Sequence, residues 1–341
     1  MSSRKANDQG GPSDGRGPTR VGELELLKNF VGSAKPVTRQ ESGLLQAAVE
    51  ALNQPDDEDL TYMARELVQC TLPHSDPGQV PFWKRTNGNL TLSIVSDYDP
   101  KNGKLVGYPY GSLPRLLLFW LTTEALRTGS PKLELGTTYG SFLRDLGLDP
   151  NTGGGKRSDG HRVRNQTRRL FTSRISFIRE QHENGLEGEA RVHMNVARKS
   201  LLWWDPKRPD QMNLWGSWVE LSEEFYQAIT ASPVPLDMRA LKALKRSPLA
   251  LDLYAWATHK ANSVYKKGKA QFIPWAGLSA QFGSDYSNHL DFKRKAKAAL
   301  KKVSAVYPSL KLQDAIGGLV VLPSSRPAVA PKNVRRLLSR S

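Results

Sequence analysis

The sequence predicts an α+β fold in which one order of elements, helix, strand, helix, basic helix and β-hairpin, occurs twice. Two apolar helices open the halves, SLPRLLLFWLTTEALRTG and SPLALDLYAWATHKANSV, each with a proline in its first turn. Each is followed by a short β-prone run and a helix closed by glycine: LELGTTYGSFLRDLG in the first half, FIPWAGLSAQFG in the second. Each half then continues with a strongly basic segment and two β-rich runs around a glycine turn. Residue identity between the halves is low, so the repeat is one of pattern.

Residues 1–20 are Gly, Ser, Pro and charge; they bury too little apolar area to fold and are expected to be a disordered tail without a secretory signal. Amphipathic helices are expected at ELELLKNF, ESGLLQAAVEAL and DEDLTYMARELVQC, the last with acids at its N-terminus, where the helix dipole favours them. FWKRTNGNLTLSIVS carries an Asn-Gly step between β-rich flanks, a hairpin signal. In the first half Ser112 and Pro114 start a helix that Gly129 stops, KLEL is a strand, and TTYGSFLRDLGL is a helix capped by Thr137 or Thr138. After the basic segment, ISFIREQHE and EARVHMNVARKSLLWW form a hairpin around ENGLEG, and WVELSEEFYQAI adds a strand and a helix. SPVPLDMRALKALKRSP joins the halves, and LKLQDAIGGLVVLP closes the second. This order is that of a winged helix, a helix-turn-helix followed by a two-stranded wing. The expected division is a tail (1–20), a helical N-terminal extension (21–80), a first winged-helix domain (81–232), a second (233–323) and a basic C-terminal tail (324–341).

The 341 residues carry 49 Lys and Arg against 33 Asp and Glu, a formal charge of +16. So large a surplus repels itself unless a polyanion relieves it, which makes nucleic acid the first candidate partner. A membrane is the rival, but the longest apolar run, LPRLLLFWL, is interrupted by Arg115 and is too short to span. The single cysteine, Cys70, excludes an intrachain disulfide and a Cys-based zinc site, and its apolar flanks predict a small buried side chain in a cytoplasmic protein. Of the eight tryptophans, Trp120, Trp203, Trp204, Trp215, Trp218, Trp256 and Trp275 lie on apolar runs and are expected in the core.

GGGKRSDGHRVRNQTRRLF, residues 153–171, decides the chemistry. Its glycines and Lys156 suggest a phosphate loop, but Arg157 stands where Ser or Thr must follow the lysine, and Pro150 where the first glycine belongs. At about 100° per residue, Val163, Gln166, Thr167, Leu170 and Phe171 form one stripe; His161, Arg162, Arg164, Asn165, Arg168 and Arg169 form the opposite face. Seven Lys or Arg face a single acid, Asp159, over residues 156–174, so the local sequence offers this face no partners. The second basic helix has Phe292, Ala296, Ala299, Leu300 and Val303 on one stripe and Arg294, Lys295, Lys297, Lys301 and Lys302 opposite.

A basic helix after a helix and before a hairpin fits major-groove recognition of double-stranded DNA. Arg164, Asn165 and Arg168 sit mid-face and are candidates for reading bases, since Arg matches guanine and Asn matches adenine through paired hydrogen bonds. Lys156 and Arg157, in the glycine-rich approach, are candidates for phosphates. The histidines form neither His-x-His nor HExxH, so no metal or cofactor and no enzyme activity is expected.

Four consecutive blocks resemble the RepA family of bacterial plasmid replication initiators: YPYGSLPRLLLFWLTTEAL, LELGTTYGSFLRDLGL, GGGKRSDGHRVRNQTRRLF and VPLDMRALKALKRSPLALDLYAW. The resemblance spans about residues 105–323. It implies an initiator that binds direct repeats at a plasmid origin, helps to open the duplex and recruits the host replication initiator and the replicative helicase. It further implies two winged-helix domains and an equilibrium between homodimer and monomer. A winged-helix repressor without initiator activity is the alternative reading.

Overall fold

The structure, a computed structural model, describes residues 39–152, 158–202, 216–283, 286 and 288–330. The expected tail at 1–20, the helix at 23–30, Lys156 and Arg157, Trp203, Trp204 and Trp215, and residues 331–341 of the C-terminal tail lie outside the described residues. Within them the fold is mixed, with ten helices and five small sheets.

The chain enters through α1 (Arg39–Glu50), β1 (Leu60–Ala64) and α2 (Arg65–Gln69). Here the structure corrects the expectation of one helix over residues 57–70, because LTYMA is a strand. All five of its residues are buried, and it pairs antiparallel with β11 (Pro233–Asp237), Leu60 opposite Asp237 and Ala64 opposite Pro233. The segment expected to join the halves thus becomes a strand and a short helix, α7 (Met238–Leu244), covered by the N-terminal residues.

The central helix α3 (Ser112–Thr128) is buried through most of its length and ends at Gly129 in the left-handed region, φ 63°. Its counterpart α8 (Pro248–Lys267) ends at Gly268 with the same φ of 63°. A left-handed residue at that point closes the last turn with its own N–H, which is why glycine stands at both places.

In the first half β6 (Lys132–Glu134), α4 (Tyr139–Asp145) and the basic helix α5 (Asp159–Phe171) follow. In the second half the sequence is β12 (Gln271–Pro274), α9 (Trp275–Phe282) and the basic helix α10 (His289–Val306). Each half then closes a three-stranded antiparallel sheet of the same order. The first is β6–β10–β9, with β9 (Ala197–Leu201) and β10 (Trp218–Leu221); the second is β12–β14–β13, with β13 (Leu312–Ala315) and β14 (Gly318–Val321).

The hairpin expected from ISFIREQHE and EARVHMNVARKSLLWW has a different place. Its strands β7 (Arg174–Glu183) and β8 (Leu186–Asn195) join β2 (Trp83–Asn87) and β3 (Leu90–Val95) in a sheet ordered β2–β3–β7–β8. The hairpin that returns to β6 is β9 with β10, and residues 203–215 of its connection are not described. Beyond the reach of β3, the outer β7–β8 ribbon is exposed and carries Glu180, Glu183, Glu187 and Glu189. A further two-stranded hairpin, β4 (Tyr98–Asp99) and β5 (Lys104–Leu105), precedes α3. The helix α6 (Glu223–Thr230) follows β10 and is capped by Ser222.

One continuous apolar core runs from Leu44 to Val321 through both halves. Trp120, Trp256 and Trp275 are buried in it as expected, Trp218 is half-buried, and the eighth tryptophan, Trp83, is buried as well. Cys70 is fully buried, its thiol pushed up to about 11 by burial. Inside this core lies a charged cluster. Arg115 of α3 meets Asp252 of α8 through two bonds, Nε to Oδ1 at 2.7 Å and a terminal N–H to Oδ2 at 2.8 Å, with the side chains 1% and 3% exposed. The guanidinium also donates to the carbonyls of Leu72, Pro73 and Gly111, and His74 Nε2 lies 2.8 Å from Asp252 Oδ2. The first helix of one half is thereby bonded to the first helix of the other.

Candidate nucleic-acid interface

Ser158 starts α5 by accepting a hydrogen bond from the His161 N–H, and Asp159 sits in the first turn, where a carboxylate favours helix formation. Val163, Gln166, Thr167, Leu170 and Phe171 are buried, the stripe read from the helical period. They pack on α3 and α4, and full burial of a leucine such as Leu170 contributes about 1.5–3 kcal/mol. Tyr139 of α4 donates to the Gly160 carbonyl at 2.5 Å, and Gln166 Oε1 accepts from the Tyr110 N–H at 2.9 Å. Both bonds hold the basic face outward.

On that face His161, Arg162, Asn165 and Arg168 are exposed, while Arg164 and Arg169 are partly covered. His161, Arg164, Asn165 and Arg168 form one wall of a cleft of about 520 Å³, and Asp99 and Lys101 form the other. The expectation that these cations lack partners needs correction. Arg162 lies 3.4 Å from Asp159, Arg168 lies 2.8 Å from Asp99, and Arg169 lies 2.9 Å from Asp76. The hydrogen bond from Arg168 holds the Asp99 carboxyl below the usual carboxylate range.

The two neighbouring arginines differ in kind. Arg168 is 51% exposed and Arg169 17%. Arg169 also donates to the Tyr108 carbonyl and lies over the Tyr110 ring, so its guanidinium is engaged inside the protein. Gly107, at φ 98°, leaves the room it needs: a Cβ there would fall 2.9 Å from the Arg169 Cζ. Gly107→Ala should therefore cost about 1–3 kcal/mol of stability in denaturant unfolding, since it adds backbone strain to the contact. An unchanged unfolding midpoint would show that the guanidinium moves aside freely.

The second basic helix, α10, is capped by Asn288 and buries Phe292, Ala296, Ala299, Leu300 and Val303. Arg294 and Lys295 both reach Asp291, at 2.7 and 3.1 Å, and Lys297 reaches Asp314 at 3.2 Å. Lys297 also lies 5.8 Å from the Trp275 ring and Lys295 5.1 Å from the Tyr286 ring. Lys301 and Lys302, one turn further on, have no ion pair among the described residues.

The structure thus brings Arg164, Asn165 and Arg168 together, sets Arg162 at the start of their helix and Arg169 beneath it, and leaves Arg294, Lys295, Lys297, Lys301 and Lys302 on a separate helix. It adds Lys101, which the reading of basic helices passed over; the signal for it was the Asn-Gly turn in DPKNGK. Both faces are rich in N–H donors with positive charge, a chemistry suited to an anionic polymer.

Residues 108–277 match the family model described as "Plasmid encoded RepA protein", about half of the chain. The chain belongs to this family of plasmid replication proteins. No curated protein matches the sequence. Among solved structures, the crystal structure of domain 2 and domain 3 of RctB overlaps 75% of this chain and 94% of its own, with a TM-score of 0.45 and 10% identity. No described helix is long and apolar enough to cross a membrane.

Proposed function

We propose that this protein is a sequence-specific, non-enzymatic binder of duplex DNA that initiates plasmid replication in the bacterial cytoplasm. The observation that carries the reading is α5, a family-matched helix with one buried stripe and an outward face of Arg162, Arg164, Asn165 and Arg168. In this proposal the halves are two winged-helix domains, residues 81–232 and 233–323, between an N-terminal extension with its tail and a basic C-terminal tail. The repeated sheet order and the matching glycine ends of α3 and α8 support that division. The wings are the β9–β10 and β13–β14 hairpins.

The helices α5 and α10 enter successive major grooves. Arg164, Asn165 and Arg168 read base edges; Lys156, Arg157, Arg162 and the cations of α10 take phosphates, while Arg169 braces α5 from below. The target is a set of direct repeats at the origin, and the partners are the host initiator and the replicative helicase, with monomer and homodimer in exchange.

A footprint on the plasmid's origin region tests this directly. Protection of direct repeats beside an AT-rich stretch is expected. Protection of a promoter palindrome alone would make the protein a repressor, and no protection at all would overturn the proposal. For α10, Lys301→Ala should weaken cognate and scrambled duplexes equally and flatten the salt dependence of binding by about one unit, the signature of a lost phosphate contact. A salt slope equal to that of the wild type would remove α10 from the interface.

A further inference from the structure

The cleft beside α5 has a second wall, and its construction is informative. Tyr98–Asp99 and Lys104–Leu105 pair as a tight hairpin. Its turn is held from Asp99: the backbone carbonyl accepts from Asn102 and Gly103 at 3.2 and 2.8 Å, and the side chain accepts from the Lys101 N–H at 3.0 Å. Gly103 takes a left-handed φ of 68° to complete it. So fixed, the hairpin presents Lys101 and Lys104, both exposed and without an ion pair among the described residues. Lys101 looks into the same cleft as His161, Arg164, Asn165 and Arg168. Among the described residues the only acid lining that cleft is Asp99, which bridges it to Arg168.

We infer that the β4–β5 hairpin is a second DNA-contacting element: Lys101 and Lys104 hold phosphates of the strand running along the cleft, and Asp99 keeps Arg168 occupied until DNA replaces it. This rests on the reading of α5 as the recognition helix and adds a partner wall and a control to it. The carboxylate and a DNA phosphate compete for the same guanidinium. Asp99 also repels phosphates that approach without displacing it. Its effect is to weaken binding to any duplex, and most of all where Arg168 gains only a phosphate and no base edge.

The test uses the full-length protein, a random-sequence duplex, and a duplex selected from a random library by the wild type, with affinity followed against salt. Lys101→Ala with Lys104→Ala should weaken both duplexes and reduce the salt slope by about two units, one for each phosphate contact. Asp99→Asn keeps the acceptor that closes the turn and removes the charge. It should bind both duplexes about two- to fivefold tighter, the range of an exposed ion pair, with the random duplex gaining at least as much as the selected one. An unchanged salt slope in the lysine variant, or unchanged or weaker binding by Asp99→Asn, overturns the inference. Asn165→Ala separates the two levels. If it loses preference for the selected duplex while the hairpin variants behave as wild type, only the hairpin assignment falls. If all variants match the wild type, the recognition helix falls with it.

Discussion

Asp252→Ala is expected to destabilise the protein by about 3–5 kcal/mol, because it leaves the buried Arg115 guanidinium without its counter-charge. Among the described residues its remaining hydrogen-bond partners would be the carbonyls of Leu72, Pro73 and Gly111. The loss is a large part of the roughly 5–15 kcal/mol that holds a typical protein folded. Adding Arg115→Met should return part of it, since a well-packed apolar side chain can replace a buried pair at little cost. Urea unfolding of the two single variants and the double variant gives the coupling; additive losses would show that the pair contributes nothing as a pair.

The same cluster sets a pH dependence. Burial, and then the nearby Arg115 charge, holds His74 below its ordinary 6.5 despite the bond to Asp252. The unfolded chain therefore takes up a proton more readily than the folded one. This contribution to stability is complete above about pH 6.5 and is lost as pH falls toward the lowered folded value. Asp252, held well below the carboxylate range by Arg115 and His74, acts in the same direction at still lower pH. In Arg115→Met, Asp252 keeps only His74 of its two partners, the His74 affinity for a proton rises, and the stability lost on acidification through this histidine should shrink. Unfolding curves at pH 7 and pH 5.5 with parallel shifts in wild type and variant would refute this account.

The second large effect concerns recognition. Arg164→Ala or Asn165→Ala should each cost about 1–3 kcal/mol on the cognate duplex and relax one base preference, leaving scrambled DNA nearly unaffected. This differs from Lys301→Ala, which should weaken all duplexes alike, and the contrast separates base readout from phosphate attachment. Equal losses on cognate and scrambled DNA would move Arg164 and Asn165 to the backbone-contacting set. Wild-type binding by both variants would displace α5 from the groove.

How much of this was legible depends on the range of the interactions. The ends of α3, the Thr138 cap of α4 and the buried stripes of α5 and α10 are written in residues three or four apart, and they stand in the structure as the period implies. β1 was not legible because all five of its residues are buried, which removes the alternation that marks a strand, and helix-forming residues follow at once. The placement of β7 and β8 depends on β3, some eighty residues earlier, and no local pattern names such a partner. Two of the three ion pairs of the basic face were hidden for the same reason, while Arg162–Asp159 lies within one helical turn. Asp99 and Asp76 lie 69 and 93 positions from the arginines they hold, so counting acids within one helical turn misses them.

The acidic ribbon has a consequence for how the protein meets a charged surface. From Arg174 beside the end of α5 to Glu183 at the tip, β7 runs ten residues, roughly 30 Å of extended strand. At physiological salt a charge is felt over only about 8 Å. Glu183 and Glu187, at the tip, therefore do not screen Arg174 at the foot of the strand, and Glu189 is already paired with Arg191. A charged surface is therefore met by two electrically independent ends of one ribbon, a cationic foot at Arg174 and an acidic tip.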